Sequence, residues 1–111
     1  VPGMLIDAYA VKPFLNLKSG WITGPSLKPI ALKCISDIYK EVSIPIIGMG
    51  GVTSGIDMAE MMLAGASVVG IGSALYYRGY EAFTKILDEL EAFMDSEGYN
   101  NVAEICGKIW R

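Results

Sequence analysis

Two short apolar runs, each ending in glycine, constrain the fold of this chain more than any other feature. They are IPIIGMGGVTSG at residues 44–55 and SVVGIGSA at residues 67–74. Such runs are typical of parallel strands buried on both faces, which we predict at Ile44–Ile47 and Ser67–Ile71. Because a helical pattern separates them, the sequence predicts a right-handed βαβ unit and an α/β fold.

The connection between these strands is predicted to be a helix that runs through Leu63. Thr53 or Ser54 is suited to cap its beginning, and Gly65 is placed to end it. The side chains expected to face inward are those of Ile56, Ala59 and Leu63.

Two longer amphipathic helices are predicted, one before the first strand and one after the second. The first covers Lys28–Val42, with Pro29 in its first turn. The second covers Tyr80–Met94 and ends before Gly98. The apolar positions expected to be buried are Ile30, Ala31, Cys34, Ile35, Ile38 and Val42 in the first, and Phe83, Ile86, Leu87, Leu90 and Phe93 in the second.

Both ends of the chain carry weaker patterns. Residues 4–10 and 14–17 are short apolar runs around the turn-like segment Val11-Lys12-Pro13, which suggests a hairpin or two edge segments. Residues 18–26 form a loop rich in glycine, serine and proline. At the other end, Asn101 and Glu104 form a capping pair for a short terminal helix.

Two parallel strands cannot bury both of their own faces. The chain begins at Val1 within a loop-like Val1-Pro2-Gly3, so we expect it to be part of a longer chain or to bind a partner. We treat residues 1–111 as one partial domain.

Composition excludes several functions. The net charge is −3 and the nine lysine and arginine residues are scattered, which disfavours nucleic-acid binding. No apolar run approaches the ~18 residues that a membrane span requires. There is no histidine, and we assign no metal site and no catalytic residue. Cys34 and Cys106 are expected to be buried thiols, as in a reducing cytoplasm.

The repeated glycine turns suggest a phosphate site. Glycine lets a phosphate approach backbone N–H groups, and neighbouring turns of this kind hold phosphate after the seventh and eighth strands of many (β/α)8 barrels. The candidates are Gly50, Gly51, Gly72 and Ser73. The alternative is that these glycines only permit tight turns. A P-loop is disfavoured because its lysine is absent.

Two other clusters receive structural interpretations. Asp57 and Glu60 share one helix face and are expected to be a solvated pair rather than a catalytic dyad. Tyr76, Tyr77 and Tyr80 are expected to pack under the final helix.

Three segments together resemble the C-terminal part of dihydroorotate dehydrogenases: GPSLKPIALKCI, IPIIGMGGVTSG and LAGASVVGIGSALYYRG. The resemblance covers nearly the whole chain. It implies an FMN-binding (β/α)8 TIM barrel, of which this chain would form about the last two βα units with a preceding hairpin and a terminal helix.

Carried over to this sequence, the resemblance implies that backbone groups of Gly50-Gly51 and Gly72-Ser73 hold the FMN phosphate. Gly20 would belong to a loop over the flavin. That loop commonly reads Gly-Gly, where this chain has Gly20-Trp21, and an indole cannot occupy a site of close backbone approach. The family's catalytic base and orotate ligands precede the matched region.

The sequence therefore predicts part of an FMN-dependent dihydroorotate dehydrogenase of pyrimidine biosynthesis, inactive as 111 residues alone. We expect a cytoplasmic homo-oligomer that acts on dihydroorotate, and the motifs resemble forms that work with an iron-sulfur flavoprotein subunit. Two alternatives stay open: another flavin-dependent TIM-barrel oxidoreductase, and a non-catalytic phosphate-binding half-barrel. Sequence upstream of Val1 would discriminate between the two enzymes.

Overall fold

A pair of parallel strands lies at the centre of the computed structural model, which describes residues 1–111. Strand β5 is Ile47–Met49 and strand β6 is Val68–Gly70. In their register Ile47 lies opposite Val68, and Met49 lies opposite Gly70. Both strands therefore end at the same edge, as the predicted βαβ unit requires.

The chain has four helices, which leave one face of this pair uncovered: α1 (Lys28–Glu41), α2 (Gly55–Ala64), α3 (Ser73–Arg78) and α4 (Ala82–Glu97). Helix α2 connects the two strands and packs against both α1 and α4. Its side chains join two apolar clusters, one with Ile35 and Val52 and the other with Leu90 and Ile105. The core therefore lies between the strand pair and the helices.

Single-turn 3₁₀ segments and two small antiparallel pairs complete the chain. The turns are Pro25–Leu27, Val102–Glu104 and Lys108–Trp110. The pairs join β1 (Pro2–Gly3) to β4 (Gly20–Trp21) and β2 (Ile6–Asp7) to β3 (Lys12–Pro13). The hairpin, one of the two predicted alternatives, is present, but its second strand is Lys12–Pro13 rather than residues 14–17, and its turn lies at residues 8–11.

The first central strand begins later than predicted, and it is buried on one face only. Pairing starts where Ile46 C=O accepts hydrogen bonds from Ser67 and Val68 N–H. On the helix side Gly48 is buried against Ile35, whereas Ile47 is 68% exposed on the other face. That face points to the interior when such strands close into a barrel, so two-sided burial is not reached within 111 residues.

The predicted inward faces of α1 and α4 are only partly correct. In α1, Ile35 is buried, but Ile30, Cys34 and Ile38 are exposed and Ser36 is buried in their place. In α4, Ile86 and Leu90 are buried, whereas Phe83 and Leu87 are exposed. An apolar pattern shows that a face can be buried, but it does not show which elements are present to cover it.

Three further expectations are corrected and three are confirmed. Cys34 is exposed, and Ile56 is exposed at the start of α2. Tyr76, Tyr77 and Tyr80 project from α3 and the turn after it without burial. The caps are correct: Ser54 begins α2, Gly65 ends it, and Asn101 accepts a hydrogen bond from Glu104 N–H.

Helices α2 and α4 approach closely at Gly55. A Cβ atom placed on Gly55 would lie 2.4 Å from both Glu89 Cβ and Leu90 N. Non-bonded contacts of a Cβ atom are essentially never this short, and the obstructing atoms include backbone. The absence of a side chain at Gly55 therefore permits this helix contact.

We predict that Gly55→Ala lowers the free energy of unfolding of the complete gene product by about 1–3 kcal/mol, since the new methyl group must push two helices apart. Urea denaturation measures the change. Gly72→Ala is the control, with both variants measured in protein freed of bound ligand, because a Cβ atom at Gly72 meets no atom within 4 Å. Equal stability of the Gly55→Ala and Gly72→Ala variants would contradict the close packing.

Candidate functional site: a cavity between two glycine turns

One cavity of about 250 Å³ lies at the strand ends, between the two glycine turns. We call it the glycine cradle. Its lining residues are Thr23, Gly24, Leu27, Met49, Gly50, Gly51, Val52, Gly70, Gly72 and Ser73. Four of the five residues predicted for cofactor binding are therefore brought together, because parallel pairing places both turns at the same edge.

The first turn requires glycine for steric reasons. Gly50 and Gly51 have φ angles of 123° and 73°, which side-chain-bearing residues rarely adopt. A Cβ atom on Gly51 would also lie 2.8 Å from both Gly24 O and Lys28 N. The turn is thus packed against the beginning of α1, and its backbone forms one wall of the cradle.

The cradle presents backbone donors and no charged side chain. The N–H groups of Gly51 and Gly72 donate no hydrogen bond within the chain. Ser73 follows directly as the first residue of α3, where backbone N–H groups have no partner within the helix. Free N–H groups of this kind bind anions such as phosphate.

Side chains engage most of the backbone N–H groups at the beginning of α2. Asp57 Oδ2 accepts hydrogen bonds from Thr53 N–H at 3.0 Å and Ser54 N–H at 3.2 Å. Ser54 Oγ in turn accepts from Asp57 N–H. These contacts of the Asp57 carboxylate fix the backbone at the end of the first turn. The cradle is lined by Gly50, Gly51 and Val52 of that turn and not by the first residues of α2.

Asp57 and Glu60 are not the solvated pair that the sequence suggested. Lys28 Nζ lies 2.6 Å from Asp57 Oδ1 and 2.7 Å from Glu60 Oε2, and the Asp57 side chain is only 13% exposed. Lys28 lies 29 residues earlier in the chain, at the start of α1. Only the tertiary fold brings this lysine beside the two carboxylates.

The ion pairs shift the protonation equilibria of this group. Burial acts to raise the pKa of Asp57, but hydrogen bonds from Lys28 and Thr53 outweigh it and hold the pKa below its ordinary value. Hydrogen bonds to Asp57 and Glu60 raise the pKa of Lys28. Lys28 and Asp57 are therefore both charged at neutral pH, and the lysine is engaged by carboxylates.

Gly20 lies away from the glycine cradle. It belongs to β4 and lines a different cavity with Gly3, Leu15 and Trp21. The neighbouring loop instead contributes Thr23 and Gly24, which the sequence reasoning did not select. The sequence did offer one signal for this loop. Pro25 begins the short 3₁₀ turn that leads into α1, so it marks Gly24 as the last residue of the loop.

The structure adds two observations about other site types. No group of three or more acidic or cysteine residues is close enough to hold a metal ion. None of the helices has the length and apolar composition that crossing a membrane requires.

Two parallel strands with outer helices and glycine turns at one edge define the class of protein: the chain is α/β and forms part of a (β/α)8 barrel. The sequence profile of one family, dihydroorotate dehydrogenase, matches residues 1–94. The chain belongs to the dihydroorotate dehydrogenase family.

Curated relatives agree with this membership. The chain is 45% identical over 106 residues to a protein of Methanothermobacter thermautotrophicus, and 47% identical over 107 residues to one of Methanocaldococcus jannaschii. Both are named dihydroorotate dehydrogenase B (NAD(+)), catalytic subunit. Each match covers 96% of this chain but 35% of the relative. The chain thus spans about a third of the length of the curated relatives it matches.

Solved structures confirm the fold class. The ligand-free DHODH of Eimeria tenella superposes with a TM-score of 0.81 at 29% identity, over 98% of this chain and 31% of that one. The same organism's DHODH in complex with ferulenol gives a TM-score of 0.77 at 34% identity, over 80% of this chain and 24% of that one. The predicted partial barrel is therefore correct.

We predict that Asp57→Asn lowers the free energy of unfolding of the complete gene product at pH 7 by about 1–3 kcal/mol, since it weakens a cap and a charge pair. Because the pKa of Asp57 is lowered in the folded state, its contribution is complete above the ordinary value of 3.8 and disappears as the pH falls through the folded-state pKa. Urea denaturation at pH 7 and at successively lower pH measures both effects.

The difference between Asp57→Asn and the unsubstituted protein should therefore narrow in acid. Glu81→Gln is the control, since Glu81 forms an exposed pair with Lys85 at 3.0 Å and such pairs contribute little. A difference that stays constant with pH would contradict the role assigned to the Asp57 carboxylate.

Proposed function

We propose that the complete protein is an FMN-dependent dihydroorotate dehydrogenase that oxidises dihydroorotate to orotate in pyrimidine biosynthesis. Family membership supports the reaction, and the glycine cradle is the observation that supports a role for this chain in cofactor binding. When bound, FMN supplies the electron-accepting chemistry by taking up hydride from the substrate. In this proposal residues 1–111 are a single partial domain of the barrel.

The cradle residues fit the phosphate end of FMN. Gly50 and Gly51 would hold it from one side and Gly72 and Ser73 from the other, through backbone N–H groups that have no partner within the chain at Gly51 and Gly72. Gly72 has open space where a side chain would stand. These residues bind and orient the cofactor, and the proposal keeps Gly20 in a loop near the flavin.

The proposal places the chemistry on other parts of the protein. We assign no catalytic residue within residues 1–111, because the cradle offers neither a histidine nor a carboxylate. The base and the groups that hold orotate would come from elsewhere in the barrel. The 111 residues alone would therefore be inactive.

A partner subunit is part of the proposal. The curated relatives are named as catalytic subunits of a NAD(+) enzyme, which supports a second, iron-sulfur flavoprotein subunit. Exposed apolar side chains within residues 1–22, such as Leu5, Leu17 and Trp21, support a homo-oligomer. Two free cysteines support a reducing, cytoplasmic setting.

We expect the purified complete gene product to carry FMN and to convert dihydroorotate to orotate with an artificial electron acceptor. Orotate absorbance and the flavin spectrum measure these outcomes. The 111-residue chain, tested in parallel, should show no turnover. A complete protein without flavin, or turnover by the short chain, would contradict the proposal.

We predict that Gly51→Ala weakens FMN binding by the complete gene product by at least roughly tenfold, because the methyl group strains a positive-φ turn and displaces its N–H donors. Isothermal titration of the apoprotein with FMN measures the affinity. Gly98→Ala is a matched control: Gly98 has φ 76°, close to that of Gly51, but it ends α4 outside the cradle. Equal losses in both variants would remove Gly51 from the site.

A further inference from the structure

The two walls of the glycine cradle belong to separate loops with little to hold them together. Ladder pairing between β5 and β6 ends at Met49 and Gly70. Beyond that point, the first wall continues as residues 50–54 and the second as residues 72–78. Backbone hydrogen bonds do not connect these two segments. The distance between the two walls must therefore be set by contacts other than the hydrogen bonds of the sheet.

Arg78 makes the connection. It is the last residue of α3, whose first residue is Ser73 in the second wall. Its Nη1 donates a hydrogen bond of 3.0 Å to the carbonyl oxygen of Thr53, two residues after Gly51 in the first wall. This is the only hydrogen bond between the two segments. The guanidinium thus connects the two walls without lining the cavity between them.

Glu89 of α4 holds that guanidinium in place. Its two carboxylate oxygens accept hydrogen bonds from Nη1 and Nη2 of Arg78. Glu89 Oε2 also accepts from Gly55 N–H at 2.7 Å, at the beginning of α2. A two-pronged contact fixes the orientation of the planar guanidinium more firmly than a single one. The carboxylate therefore ties α3 to the beginning of α2.

The close helix contact at Gly55 makes this geometry possible. Glu89 can reach Gly55 N–H because Gly55 has no side chain between α2 and α4. The Arg78 and Glu89 side chains are 26% and 38% exposed, so the pair is partly shielded from water. Neither residue lines the cradle. Their effect on a bound phosphate would be exerted through the backbone of the two turns.

We propose that Arg78 and Glu89 are positioning residues that set the spacing between the two glycine turns, and thereby the selectivity of the site for the phosphate of FMN. This rests on the proposed function, since it assigns a role in the same cradle. Loss of the pair should loosen the cradle around the phosphate while leaving contacts to the flavin ring unchanged.

Riboflavin, which has the ring and ribityl chain but no phosphate, separates these effects. The measurement is the ratio of the riboflavin Kd to the FMN Kd for the apo form of the complete gene product. General loosening of the fold weakens both ligands and leaves the ratio unchanged. A change in cradle spacing weakens FMN alone and lowers the ratio.

We expect Arg78→Met to lower this ratio by roughly tenfold, as for the loss of charge-assisted hydrogen bonds. Arg78→Lys keeps the charge but replaces the planar, two-pronged guanidinium with a single ammonium nitrogen, so the ratio should fall by a smaller factor. Glu89→Gln should lower it as well. Lys85→Met, which removes an exposed ion pair on the same helix α4, is the control and should leave the ratio unchanged.

The outcomes separate this inference from the proposed function. An unsubstituted protein that binds FMN and riboflavin equally would overturn the phosphate cradle, and the positioning role with it. A protein that prefers FMN, with the same preference in Arg78→Met and Arg78→Lys, would overturn the positioning role alone. If Arg78→Met does not fold, the ratio for Arg78→Lys decides.

Discussion

The parallel pairing of β5 and β6 is the interaction on which the rest of the structure depends. Only three residues of each strand pair, yet their register places Met49 beside Gly70 and so brings two turns from distant parts of the chain to one edge. Helices α1, α2 and α4 can cover only one face of this pair. The other face is left exposed, as expected for a segment of a barrel whose interior is filled by side chains from all of its strands.

Polar contacts extend this organisation beyond the last ladder hydrogen bond. Lys28 joins the start of α1 to Asp57 in α2, and Arg78 joins α3 to α4 and to the first glycine turn. Both cations are therefore engaged by carboxylates beside the cradle. The cradle is lined by backbone and by uncharged side chains, and in the proposed function its N–H groups would bind the phosphate through fixed dipoles rather than through mobile charged side chains.

The sequence predictions were accurate for features that are set by residues close together in the chain, and inaccurate for features that depend on distant residues. The Ser54 cap and the Gly65 terminus of α2 were predictable, because both are set by a few neighbouring residues. The partners of charged residues were not. Asp57 was expected in solvent but contacts Lys28, and no local pattern relates residues 29 positions apart.

The burial of individual side chains was predicted least well, because it too depends on residues distant in the chain. Ile30 and Ile38 have the spacing of a buried helical face, yet they are exposed because no element of the 111 residues packs against them. The same holds for the tyrosines of α3 and for Ile47. Hydrophobic periodicity reports the face that a helix can bury, whereas burial requires a second surface.

By itself, the sequence determined the α/β class, both parallel strands and helices α1, α2 and α4 in their order, the family, and the glycine turns in which a cofactor phosphate is proposed to bind; helix α3 was not predicted. These follow from short-range patterns and from motifs that can be matched residue by residue. Only the tertiary structure decided that Thr23 and Gly24 complete the cradle, that Gly20 lies outside it, and that Arg78 spans its two walls. Those relations depend on distances between residues remote in sequence, which the packing of α2 against α4 and the strand register establish.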